Sequence, residues 1–124
     1  MAGVTADAVP EPPVDGEHFP GRPDPGPAAI RPRAILEAAG ELLRALSAPV
    51  RIAIVLQLRD NGRCVHELVD ALGVTQPLIS QHLRVLKSAG VVDGERHGRE
   101  IVYRLVDEHL SHIVLDAVTH VEEE

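Results

Sequence analysis

The chain has no tryptophan, one phenylalanine, one tyrosine, one methionine and one cysteine in 124 residues. With Phe19 and Tyr103 as its only aromatics, any core must be built from Leu, Val, Ile and Ala, which suits small packed helices better than a sandwich. A lone Cys64 excludes an internal disulfide and points to a reducing compartment. No apolar run of about eighteen or more residues is present, and the basic start and apolar stretch of a signal peptide are missing. A cytoplasmic chain with no membrane partner is expected, long enough for one domain with a modest core.

Basic charge is also scarce: the net charge is −7, which argues against nucleic acid as a partner, because affinity there comes largely from phosphate neutralisation. The average conceals an uneven distribution. Residues 1–30 carry −4, residues 31–63 carry +3, residues 64–106 are neutral and residues 107–124 carry −6. Eight of the ten prolines fall within residues 1–32, in stretches such as "PEPPVD" that offer little to bury. Residues 1–32 are therefore expected to form a disordered arm, and residues 33–124 the folded domain.

Within that domain "RAILEAAGELLRAL" places Ile35, Leu36, Ala39, Leu42, Leu43 and Leu46 at helical spacing. A second helix is expected over about Ala48–Arg59, capped by Ser47 and with Pro49 in its first turn. "CVHELVDALG" gives a short third helix leaving through Gly73. Thr75 heads the fourth, whose Ile79, Leu83 and Leu86 form an apolar stripe. "VVDGERHGREIVYRLV" follows as two short strands turning at His97-Gly98-Arg99, and a last helix closes the chain.

Two short helices joined at a glycine and followed by a hairpin are the pattern of a winged helix-turn-helix, mainly α with a small β-hairpin. With the apolar stripe inward, Gln76, Ser80, Gln81 and Arg84 face outward beside Thr75, and all five are read as DNA contacts. Lys87 adds a phosphate contact. Arg96 and Arg99, around His97, make the hairpin a slim cationic finger for a minor groove or backbone. His82, off the stripe, is read as a flank or phosphate contact rather than a metal ligand. Residues 75–104 hold five basic and three acidic side chains, a weak surplus that a homodimer would double on an operator with two half-sites.

"LSAPVRIAIVLQL", "ELVDALGVTQPLISQHLRVLKSAGVVDGERHGREIVYRL" and the terminal "DEH" and "HVEE" resemble the ArsR/SmtB family of metal-sensing repressors, especially the SmtB-type zinc sensors of actinobacteria. The likeness covers residues 33–124 and excludes the proline-rich arm. It implies a homodimer that binds operator double-stranded DNA when metal-free and lets go when zinc occupies its terminal helices. Pro77 stands at a position often hydroxylated in the family, so a base contact there is not carried over.

Asp107 to Glu124 contain three histidines and six acids with no lysine or arginine. At about 100° per residue His109, His112, Asp116, His120 and Glu123 share one narrow stripe, with Leu110, Ile113, Val114, Ala117, Val118 and Val121 on an adjacent apolar arc. Imidazole and carboxylate donors suit zinc, nickel or cobalt. His109 and His120 are about 16 Å apart along a helix axis, so one helix cannot bring them to one ion. Two antiparallel copies can, pairing Asp107 and His109 of one chain with His120 and Glu123 of the other. The resemblance implies the same two pairs, at the spacings Asp-x-His and His-x-x-Glu, and a hydrogen bond from His120 toward the backbone near Ser88 that couples metal to DNA. His112 and Asp116 lie outside the motif.

Cys64, His66 and Glu67, with His18 from the arm, form a second possible metal site, because related sensors carry a thiolate site at this helix. The usual second cysteine is His66 here, which weakens it. Two other classes compete with a metal-responsive repressor: a small metal-dependent hydrolase, for which no base, oxyanion donor or cleft is identifiable, and a winged-helix protein-interaction module.

Overall fold

The computed structural model describes residues 21–123. The expected disordered arm therefore falls mostly outside the described residues, as does His18. Residues 21–30 contain no helix or strand and are exposed, and the chain divides between Ile30 and Arg31. Among the described residues the regular structure lies within 31–123, and no described helix is long and apolar enough to cross a membrane.

Helix α1 (Arg33–Leu46) and helix α2 (Pro49–Gln57) meet at a sharp junction. Ser47 does not cap α2 as expected: its Oγ donates to the Arg44 carbonyl at 3.0 Å, closing α1, and extended Ala48 is the N-cap of α2. The exchange follows from Pro49, which needs an extended residue before it. Arg51 fastens the junction, its Nε donating to the Ala45 carbonyl at 2.6 Å. Of the predicted α1 stripe only Leu46 is fully buried, with Ala45 beside it. Ile35, Leu36 and Leu43 remain 56 %, 43 % and 55 % exposed.

A two-residue strand β1 (Arg63–Cys64) then leads into α3 (Val65–Leu72). Gly73 leaves α3 at φ +67°, a left-handed conformation that glycine adopts without steric penalty, and the chain turns into α4 (Gln76–Ser88). Strands β2 (Val92–His97) and β3 (Glu100–Leu105) form the hairpin, and α5 (Glu108–Glu122) follows. The sheet runs β1-β3-β2, antiparallel throughout. The hairpin was expected; β1 was not.

The core brings together Ile54, Val55 and Leu58 of the α2 segment, Leu68 of α3, the predicted Ile79, Leu83 and Leu86 of α4, Val91 and Val92, and Leu110 and Val114 of α5. Each such side chain removed from water contributes about 1.5–3 kcal/mol. α2 and α4 thereby hold α5 on one side and the hairpin on the other.

Candidate nucleic-acid interface and metal-ligand clusters

Because Ile79, Leu83 and Leu86 are buried, the opposite side of α4 must face solvent. Gln76, Gln81, Arg84 and Lys87 are exposed and Ser80 is half-buried, the arrangement expected of a recognition helix. Thr75 is its N-cap residue, without a side-chain capping bond. His82 turns toward α2, where its Nδ1 lies 3.2 Å from Arg51 Nη1; it ties α4 to the α1–α2 junction instead of flanking the interface. At the hairpin tip Arg96 Nη1 donates to the Gly98 carbonyl at 3.3 Å, His97 meets Glu95 at 3.2 Å, and Arg99 is exposed. The tip is less cationic than its arginines alone suggest.

Sequence reasoning missed Tyr103. It lines a groove between α4 and β3 together with Ser80, Leu83, Arg84 and Lys87. In the strand register it stands opposite Gly94, and a Cβ there would lie 3.2 Å from Tyr103 Cε1, so the ring occupies space that the glycine leaves open.

At the start of α5 Asp107 is the N-cap, its Oδ1 accepting from His109 N–H at 2.8 Å. The same oxygen lies 3.2 Å from His109 Nδ1, so one carboxylate and one imidazole are already side by side at the surface. His112, Asp116, His120 and Glu123 continue along the exposed side of the chain to its end. The structure thus brings together the first predicted pair and leaves the second at the far end of α5. Ser88 is the exposed last residue of α4.

The second cluster forms with a different acid. Cys64 Sγ lies 3.2 Å from His66 Nδ1, which is 3.4 Å from Glu100 Oε2, and one donor atom from each of the three falls within 4.8 Å of the others. Glu67 is occupied elsewhere: its Oε1 accepts from the Cys64 backbone N–H at 2.9 Å, capping α3. That hydrogen bond holds the Glu67 carboxyl below its ordinary range, whereas burial pushes the Cys64 thiol up. Glu100 arrives because Cys64 pairs with Val102 and residues two apart on a strand share a face.

Comparison with known proteins fits this arrangement. A family model described as bacterial regulatory protein, arsR family, matches residues 48–93. The chain is 75 % identical over 93 residues to the HTH-type transcriptional repressor SmtB of Mycobacterium tuberculosis, covering 75 % of this chain and 69 % of that one. The chain belongs to the ArsR family. The HTH-type transcriptional regulator NmtR of the same organism is 37 % identical over 109 residues, 88 % of this chain and 85 % of the other. Among solved structures, the homodimeric winged helix-turn-helix DNA-binding domain Mb0332 of Mycobacterium bovis superposes with a TM-score of 0.67 at 25 % identity, covering 80 % of this chain and 92 % of that one. The transcriptional repressor BigR of Xylella fastidiosa gives 0.62 at 33 % identity, covering 72 % and 95 %. As an ArsR-family winged helix-turn-helix regulator, the chain is not an enzyme, and the hydrolase is set aside.

Proposed function

We propose that the chain is a metal-responsive transcriptional repressor that binds operator DNA as a cytoplasmic homodimer when metal-free and is released by zinc. The observation that carries this is the Asp107–His109 pair at the head of α5 with His120 and Glu123 about 16 Å or more away along the same helix. Half a site at each end of a helix calls for a second copy. Exposed apolar residues on α1, and Ile113 and Val121 on α5, supply a face for that copy, and Mb0332 is described as homodimeric.

The donor set fits a borderline metal: two imidazoles and two carboxylates satisfy four-coordinate zinc, and nickel or cobalt with added ligands. Asp107 and His109 of one protomer and His120 and Glu123 of the other would hold the ion. It would supply a charge-neutralising tie between the two helices. For the ion to release DNA it must prefer the weak-binding conformation, and DNA then weakens metal binding by the same factor. His120, at the end of α5, is the residue proposed to transmit that preference, through a hydrogen bond toward the backbone near Ser88 of α4.

A second reading keeps the repressor but moves the sensor to Cys64, His66 and Glu100, favoured by their convergence. The test is titration of the apo-protein on an operator selected from random duplexes, with zinc, nickel and cobalt in turn. Zinc is expected to release wild-type protein at the lowest concentration, Cys64→Ser to respond normally, and His109→Ala to bind operator but ignore zinc. A normal response in His109→Ala together with a lost one in Cys64→Ser moves the sensor to the second cluster. No duplex selected at all removes the repressor and leaves a protein-interaction module.

A further inference from the structure

The groove between α4 and β3 has an unusual lining for a chain whose net charge is −7. Arg84 and Lys87 are exposed cations with no ion-pair or hydrogen-bond partner among the described residues. The hydroxyls of Ser80 and Tyr103 likewise make no hydrogen bond to described residues, and among the described residues no buried side-chain oxygen or nitrogen is left unsatisfied, so the Tyr103 hydroxyl reaches solvent although the residue is half-buried. No carboxylate lines the groove. Two cations and two unspent hydroxyls with no acid define a place for an anion.

Its position names the anion. In a helix-turn-helix the N-terminal residues of the recognition helix approach base edges, whereas Arg84 and Lys87 lie in the second half of α4. A wing reaches an adjacent minor groove or backbone, so the surface between α4 and the hairpin must cross the phosphate ridge that separates the two grooves. We infer that Tyr103, with Arg84 and Lys87, seats one backbone phosphodiester of the bound duplex in each half-site, fixing how deeply α4 enters the major groove. Gly94 makes room for the ring to lie there. Arg84 is thereby assigned to the backbone, and Gln76 and Gln81 keep the base edges. The inference rests on the DNA-binding role proposed above.

Tyr103 is the sole tyrosine, so labelling tyrosine with carbon-13 at the ring carbon bearing the hydroxyl gives one signal for this group. That signal is expected to shift on adding operator or unrelated duplex, and to stay in place with inorganic phosphate at matched ionic strength. Tyr103→Phe keeps the ring and should melt like the wild type, yet bind both duplexes roughly tenfold more weakly. Lys87→Ala should lower the salt slope by about one. Neutral methylphosphonate placed at each backbone position in turn should find one phosphate per half-site that matters to the wild type and not to Tyr103→Phe. Undiminished binding by Tyr103→Phe, a loss coupled to no single phosphate, or a signal moved by inorganic phosphate alone would each overturn the seat while leaving DNA binding standing. A wild type that binds no duplex overturns both.

Discussion

Glu67 illustrates how one hydrogen bond decides which of two neighbouring acids is available for chemistry. It directly follows His66, the histidine whose ring lies beside Cys64, and by sequence distance it is the natural third donor. Position N3 of α3 instead turns it back onto the Cys64 N–H, a capping arrangement that satisfies an otherwise orphaned donor. Because the folded state holds this carboxyl below its ordinary range, the charged form stabilises the fold at pH values above the unfolded carboxyl's pKa of about 4.3, and the contribution disappears as pH falls through the lower folded value. Glu67→Gln should therefore melt below the wild type at neutral pH, with the two melting temperatures converging on acidification. Parallel melting curves from pH 7 down to about pH 3 would show that the charge contributes nothing.

Gly94 governs the hairpin in a comparable way through volume. A Cβ added there would stand 2.8 Å from Ile101 Cγ2 and 3.2 Å from Tyr103 Cε1, and a β-branched methyl and an aromatic ring have little freedom to retreat. Gly94→Ala should destabilise the domain by about 1–3 kcal/mol, read by denaturant unfolding, and should weaken duplex binding more than its stability loss implies, since the strand carries Tyr103. The helices around this hairpin were legible from sequence because each repeats an apolar stripe every three to four residues and ends at a residue with its own backbone preference, as α4 does between Thr75 and Gly90. Strand β1 was not legible: two residues have no period, and its existence depends on the pairing of Cys64 with Val102, a contact distant in sequence. Glu100 was missed for that reason, and Tyr103 because its role depends on an empty Cβ position across the strand. Ser47 was misplaced because Pro49 puts extended Ala48 in the N-cap position, and His82 because Arg51, bound to the Ala45 carbonyl on one side, meets its ring on the other.

The predicted stripe of α1 has correct helical phase yet finds too little to cover it within one protomer, and α5 likewise leaves Ile113 and Val121 exposed. Those two faces and the ligand pairs proposed at the two ends of α5 would be met together by a functional unit of two chains. The proposed sharing of ligands across a twofold axis would have a consequence that no single-chain site can mimic. In His109→Ala each site lacks the imidazole at the head of α5, and in His120→Ala each lacks the one at its end, so neither homodimer should retain a complete site. A mixed dimer is different: one of its sites combines both substitutions, while the other joins Asp107 and His109 of the His120→Ala chain to His120 and Glu123 of the His109→Ala chain, all intact. Mixed dimers isolated with two affinity tags should bind one zinc per dimer at near wild-type affinity and regain zinc-dependent release from operator, measured by calorimetry and fluorescence anisotropy. If the four ligands came from one chain, the same mixed dimer would carry two broken sites and recover nothing.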